Sequence, residues 1–257
     1  MIETCSLAAY TAGFFIALCW PRPFLSTLCI GIGTAINFAV VLDRYNGAWP
    51  MMPMHFGIAG LSVVLSFIWI CNYGTINRQN GLRQQPESPI LLGIIVLVVA
   101  ATVFFPKDFY VPFLRSNVIW SHVFLLAGIV AKSFLVHGGV KAFAALQGTQ
   151  KKPKIAALFN SATNWIVYGY GLLTVSLFSG ELWCYLGWGT PVVWHDAALT
   201  TVLSLWLYWT CFLHLLFIRS WSQKQRSRFV VAGAVLVLFF ACHPDMGPFR
   251  LPFQGQG

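Results

Sequence analysis

The sequence predicts an all-α, polytopic membrane protein with about eight transmembrane helices. Hydrophobic residues fill 58% of the 257 positions, charged residues fill only 9%, and the mean hydropathy is +0.71. Soluble domains carry about 25% charged residues, so a soluble fold is excluded. Apolar runs of the length needed to cross a bilayer recur from one end of the chain to the other.

The predicted spans follow one another with short loops between them. In order they cover about residues 5–20, 24–43, 56–74, 88–106, 117–142, 163–182, 196–218 and 229–243. The first and last are short against the roughly 20 residues that a crossing needs, so a count of six or seven crossings stays open. Because the loops leave no room for a soluble domain, we expect a single integral membrane domain over residues 1–257.

Lysine and arginine are distributed unequally between alternate loops. Eleven fall on one side, four fall on the other, and Lys132 lies inside a predicted span. Because positive residues favour the cytoplasmic side, we expect both termini on the outer face. The formal charge of +9 then reflects orientation in the lipid bilayer, and we expect no nucleic acid partner.

Histidines are predicted to lie in two layers. His122 and His137 are 15 residues apart on the fifth span, which on a helix separates them by about 22 Å in height and about 60° in direction. His214 falls about 27 Å down the seventh span, at the depth of His137, and His243 returns to the level of His122. The outer layer also takes in two further residues, His195 and His55.

Ionisable side chains inside a span are costly and commonly mark a cofactor or a proton path. Two neutral imidazoles at one height can hold a haem iron from both sides. The alternative is an interhelical hydrogen bond, or a ring that reaches the membrane interface. Lys132 has two interpretations as well: it neutralises a haem propionate or lipid phosphate, or it pairs with a backbone carbonyl in a wet crevice.

A tryptophan-rich stretch over residues 183–196 is predicted to form an outer loop. Trp183, Trp188 and Trp194 lie within twelve residues of one another, which exceeds what an ordinary aromatic belt requires. His195 and Asp196 follow directly, and Asp196 is placed to open the next helix. Indole faces beside imidazoles are suited to holding a flat, amphipathic, iron-containing ring.

Together these segments resemble the cytochrome c assembly, haem-handling membrane proteins of the CcsA, ResC and CcmC type. Four segments match in order: residues 44–57, 114–123, 180–196 and 205–215. The second and fourth resemble family spans that carry a histidine, here His122 and His214. The third resembles the family's WWD haem-binding loop in an altered form, with Val192 at the middle tryptophan position.

The resemblance implies that the chain holds non-covalent, b-type haem at the outer face and assists its delivery or ligation to apocytochrome c. Membership of a haem lyase complex is left open. It also implies a CcsB- or ResB-like membrane partner and a place in the bacterial inner membrane. The implied haem-binding residues are His122, His214, His243 and His137 as iron ligands, with Trp188, Trp194, His195 and Asp196 around them.

Two other hypotheses stay open. Two histidine layers about 22 Å apart also suit a membrane subunit with two b-type haems, which passes electrons between quinone and a periplasmic cytochrome. A structural or regulatory paralogue that binds no haem is the third.

Overall fold

A computed structural model describes residues 2–19, 23–51, 56–74, 87–106, 117–148, 152–194, 197–242 and 246–250, and most of these residues are helical. These residues contain no β-strand, so the predicted all-α class is confirmed. The helices are α1 (Ile2–Cys19), α2 (Pro23–Ala48), α3 (Phe56–Trp69) with a π-helical continuation (Ile70–Gly74), α4 (Glu87–Phe104), α5 (Ile119–Leu146), α6 (Lys152–Trp188), α7 (Ala197–Leu215) and α8 (Gln223–Cys242).

Each of the eight predicted spans overlaps one of these helices. Among the described residues, six helices are long and apolar enough to cross a membrane: α1, α2, α3 with its π-helical continuation, α4, α5 and α8. Helix α7 adds a shorter apolar stretch, Leu199–Leu215, and α6 extends over 37 residues. The chain is therefore a multi-pass membrane protein.

Helix α6 begins eleven residues before the predicted span, at Lys152 rather than residue 163. Its first turns pack against α5, where Ile155 and Leu158 contact Ala144 and Ala145. The length of an apolar run predicts the part of a helix that crosses a membrane. It does not predict a helical extension of this kind.

Helix α8 also begins before its predicted span, at Gln223 rather than residue 229. The Gln225 backbone N–H donates to Ser222 Oγ at 3.3 Å, and the Ser222 backbone N–H donates to Gln225 Oε1 at 2.9 Å. This reciprocal pair is a capping box, which satisfies N–H groups that the first turn of a helix leaves without partners.

The described chain forms two compact units. The first comprises residues 1–49, 53–111 and 245–257 and contains α1 to α4. The second comprises residues 50–52 and 112–244 and contains α5 to α8. The single integral domain stays a prediction.

In the first unit, a buried polar network joins α1 and α3 to α2. The Tyr10 hydroxyl accepts from Ser66 Oγ at 2.9 Å and donates to Thr34 Oγ1 at 3.3 Å. Asn37 Nδ2 donates to Ser62 Oγ at 2.7 Å. Hydroxyl and amide groups that find partners across helices stabilise packing in lipid.

A short C-terminal segment, Met246–Arg250, lies against the end of α4 in the same unit. The Gly247 N–H donates to the Phe105 carbonyl at 3.0 Å, and the Arg250 N–H donates to the Phe104 carbonyl at 2.8 Å. The Phe249 ring stacks on Phe104 with centroids 6.0 Å apart. The segment thereby satisfies carbonyls at the helix end.

In the second unit, α5 packs closely against two neighbours through adjacent glycines. A Cβ at Gly138 would lie 3.1 Å from the Ala162 carbonyl oxygen of α6. A Cβ at Gly139 would lie only 2.2 Å from the Ala234 Cβ of α8. Small residues of this kind allow helix backbones in lipid to approach closely.

Candidate functional site

His122 lies in the first turn of α5. The helix follows an extended Val118 at φ −83° and ψ 142°, whose carbonyl accepts from Ser121 Oγ at 2.7 Å. The His122 side chain is only 4% exposed, and its Nε2 lies 3.1 Å from the Pro50 carbonyl oxygen. A carbonyl can only accept, so Nε2 carries the hydrogen and donates it.

An aromatic cluster made of Phe124, Trp183 and Trp188 lies at the same end of the α5–α6 pair. The rings of Phe124 and Trp183 have centroids 5.9 Å apart, and Trp183 meets Trp188 edge-on at 5.7 Å. Trp183 is 1% exposed and Trp188 is 39% exposed. Phe124 is two residues beyond His122, about 3 Å along the helix, so the cluster leads from the level of His122 to the surface.

The tryptophan-rich stretch differs from the prediction in where its loop begins. Helix α6 continues to Trp188, six residues beyond the predicted end of the span, so Trp183 and Trp188 are helical. The helix ends at Gly189, which has φ +75° and donates its N–H to the Tyr185 carbonyl at 2.9 Å. Glycine accepts this left-handed conformation without strain, whereas the residues before it offer no reason to stop a helix.

Of the predicted loop, residues 189–194 are described and non-helical. Trp194 is 72% exposed, so its indole is available at the surface. Four predicted site residues lie outside the described part of the chain: His55, His195, Asp196 and His243.

His137 lies about four turns further along α5, on the same unbroken helix as His122. Its side chain is fully buried between α5 and α6, with its ring perpendicular to Trp165 at a centroid distance of 4.7 Å. Trp165 also meets Phe134 edge-on at 4.9 Å. Lys132, between the two histidines in sequence, is half-buried, and its propionate or phosphate role stays a prediction.

His214 occupies the last turn of α7, as predicted, but its surroundings differ from those of His137. The side chain is exposed, and Nδ1 lies 2.8 Å from the Thr210 carbonyl oxygen. Nδ1 therefore donates, and Nε2 carries the lone pair. The iron that we predicted His137 and His214 to share stays a prediction. The His137 ring is buried between α5 and α6, whereas the His214 ring is exposed.

The described residues at this end of the chain contribute one imidazole and two exposed indoles. The described residues contain no group of three or more His, Cys, Asp or Glu side chains that could hold a metal ion. A haem iron needs at most two protein ligands, because the porphyrin supplies the other four. Imidazole at His122 with exposed indole at Trp188 and Trp194 fits that requirement.

Comparison with known proteins identifies the family. The profile of the family described as "Cytochrome C assembly protein" matches residues 50–242. The chain is 28% identical to "Cytochrome c biogenesis protein CcsA" of Guillardia theta over 266 residues, which cover 90% of this chain and 86% of that protein. The protein of the same name from Prochlorococcus marinus strain MIT 9215 is 24% identical over 244 residues, covering 79% and 76% of the two chains.

A local match has a higher identity over a shorter stretch. The CcsA protein of Prochlorococcus marinus strain MIT 9303 is 36% identical over 73 residues, which cover 28% of this chain and 23% of that protein. No solved structure matches the chain. From the profile match over three quarters of its length, the chain belongs to the cytochrome c assembly protein family and has a role in cytochrome c biogenesis.

Proposed function

We propose that this protein holds b-type haem non-covalently at the outer membrane face and assists its delivery or ligation to apocytochrome c. The observation that carries the proposal is the placement of His122: a buried imidazole with a fixed ring, at the same end of the α5–α6 pair as an aromatic cluster that reaches the surface at Trp188. At this end of the α5–α6 pair, the described residues include both a proposed iron ligand, His122, and an exposed aromatic side chain, Trp188.

The residues at the His122 end of α5 have separate roles in this proposal. His122 ligates iron, while Trp188 and Trp194 offer exposed, flat, apolar faces for the porphyrin ring. The haem supplies the vinyl groups that react with the thiols of a Cys-x-x-Cys-His segment in apocytochrome c. The protein contributes orientation rather than acid or base chemistry, since bringing two reactants into one geometry accelerates their reaction.

Three further residues belong to the proposal on sequence grounds. His195 and Asp196 continue the surface that Trp194 begins, and His243 follows the last residue of α8. His243 is the second iron ligand in this proposal.

The other histidine level serves the uptake of haem. The unequal distribution of lysine and arginine supports an orientation in which His214 and His137 lie on the cytoplasmic side of a bacterial inner membrane. His214 is exposed and offers its Nε2 lone pair, so it acts in receiving haem, with His137 at the same depth. A CcsB- or ResB-like membrane protein completes the assembly, and the chain functions as one integral domain.

The visible spectrum of the purified protein tests the proposal. We expect a Soret band of less than one haem per chain, reduced strongly by His122→Ala and by His214→Ala. Trp188→Ala should weaken haem retention. Phe178→Ala is the matched control, because it removes an exposed ring from the same helix at a position 57% exposed, and it should leave the band unchanged.

The same spectra separate the other two hypotheses. Two haems per chain, with one lost on either His137→Ala or His214→Ala, would show an electron-transfer subunit, for which the spacing of His122 and His137 on one unbroken helix is suitable. Absence of any Soret band under haem-replete conditions would leave only the paralogue that binds no haem.

A further inference from the structure

The connection between α7 and α8 combines basic and apolar side chains at its surface. Arg219 lies between the two helices, Lys224 and Arg228 follow in the first turns of α8, and all three side chains are exposed. Directly before Arg219, Phe217 is 85% exposed and Ile218 is 42% exposed. We call these five residues the basic turn. Cations beside outward-facing apolar side chains suit the boundary between lipid tails and headgroups.

In the described part of the second unit, no acidic residue lies near the basic turn. Residues 197–244 contain no Asp or Glu, and neither does α5. The start of α6 lies beside the start of α8, because Gln223 Nε2 donates to the Ile155 carbonyl at 3.3 Å. The one acid of α6, Glu181, is 27 residues beyond Lys154 and therefore about 40 Å away along the helix. The basic turn thus carries a net positive charge, which attracts anions.

The start of α8 adds to this positive field. Its first turn contains Lys224 and Arg226 and no acidic residue, although the N-terminus of a helix favours negative charge. The capping box of Ser222 and Gln225 satisfies N–H groups there without supplying a charge. An anion from outside the chain would complement this end of the helix.

Arg226 fixes the shape of the basic turn from beneath its surface. Its Nη2 donates to the Ile218 carbonyl at 2.9 Å, and the Trp221 N–H donates to the same carbonyl at 3.3 Å. The Trp221 ring meets Phe229 of α8 edge-on, with centroids 5.8 Å apart. Arg226 Nε is buried and has no hydrogen-bond partner among the described residues. A buried donor without a partner is costly, and an anionic oxygen is a suitable acceptor for it.

We propose that the basic turn binds the phosphate headgroup of an anionic phospholipid, with Phe217 and Ile218 against its acyl chains. Arginine and lysine both donate to phosphate oxygens, and each cation near an anionic lipid surface strengthens binding about fivefold. The proposal is independent of haem. Lipid bound there holds the end of α7 that carries His214 at the level of the headgroups.

Lipid titration of the full-length protein in a non-ionic detergent tests the inference. Native mass spectrometry would measure the affinities for phosphatidylglycerol, which is anionic, and for phosphatidylcholine, which has no net charge. We expect the wild type to prefer phosphatidylglycerol. The combined variant Arg219→Gln, Lys224→Gln and Arg228→Gln should bind it between about tenfold and a hundredfold more weakly, because three cations are lost. An unchanged affinity in that variant would overturn the inference.

The matched control preserves the charge. Arg219→Lys combined with Arg228→Lys should keep the preference for phosphatidylglycerol, and its loss in this variant would contradict an electrostatic origin. Because the substituted side chains are exposed, we expect helical circular dichroism equal to wild type in both variants. Raising the sodium chloride concentration should weaken binding in the wild type, since salt screens exposed charges, and binding that resists salt would count against the proposal.

Two further measurements distinguish other occupants of the basic turn. Inorganic phosphate at constant ionic strength should displace little phosphatidylglycerol, and complete displacement would show a site for free phosphate instead of a lipid. In haem-replete protein, a Soret band lost in the combined glutamine variant while phosphatidylglycerol binding persists would show that these cations serve haem propionates, which overturns the inference. A Soret band absent from the wild type as well bears on the proposed function alone, because the lipid titration needs no haem.

Discussion

The contact between Gly139 of α5 and Ala234 of α8 allows the packing of the second unit to be tested without touching the site. In Gly139→Ala, the new Cβ would lie 2.2 Å from the Ala234 Cβ, far inside van der Waals contact. One of the two helices must move, and overpacking of this kind costs about 1–3 kcal/mol. A cost of 1.4 kcal/mol lowers the folding equilibrium constant about tenfold.

A second substitution should reverse the effect. In the double variant Gly139→Ala with Ala234→Gly, the methyl group is transferred from one helix to the other, and the nearest remaining atom is the residue 234 Cα at 3.6 Å, an ordinary contact. The helix propensities of the two changes also offset each other. We expect the double variant to recover to within about 0.5 kcal/mol of wild type.

Reversible unfolding in detergent, followed by helical circular dichroism, measures these differences. Gly31→Ala is the control, because a Cβ there meets nothing within 4 Å, and we expect stability unchanged or raised by up to about 1 kcal/mol. The account of close helix packing would be refuted if Gly139→Ala were as stable as Gly31→Ala, or if the double variant were no better than the single one.

Three further predictions concern other contacts. Tyr10→Phe removes a hydroxyl that bridges two polar side chains in the first unit, and should cost about 1 kcal/mol of unfolding free energy; an unchanged value would contradict its bridging role. Trp183→Ala should lower the free energy of unfolding by about 3–5 kcal/mol, because the ring is buried, and Trp188→Ala should lower it far less. Equal losses of unfolding free energy would contradict the difference in burial between the two rings. Phe249→Ala should raise amide hydrogen exchange at Gly247 by weakening the C-terminal segment, and unaltered exchange there would show that the ring contact is dispensable.

The existence of each helix was predictable because long apolar runs have one stable form in lipid, the helix that satisfies its own backbone. The residues at which the helices begin and end were not predictable from the lengths of the apolar runs. Helix α6 continues through an apolar stretch to Gly189, whose positive φ stops it. The start of α8 had a readable signal that run length ignores, the spacing of Ser222 and Gln225 in a capping box.

The candidate site was predictable in its residue types and only partly in its geometry. Helical periodicity placed His122 and His137 on one helix at a fixed separation, since that helix is unbroken. The contact of His214 with Thr210 follows from a spacing of four residues. No local pattern could join His122 to Pro50, which is 72 residues away, or show that Trp183 is a buried residue of a helix rather than part of a loop.

Delivery of haem from the His122 end is the central claim, and covalent haem on a reporter measures it most directly. A cell without its own cytochrome c assembly system would express this chain, its membrane partner and a reporter apocytochrome c, and haem bound covalently to the reporter would be quantified after denaturing electrophoresis. We expect covalent haem with the wild-type chain and with Phe178→Ala, and little or none with His122→Ala present at the same level in the membrane. Equal covalent haem in the His122→Ala and wild-type strains would contradict the account.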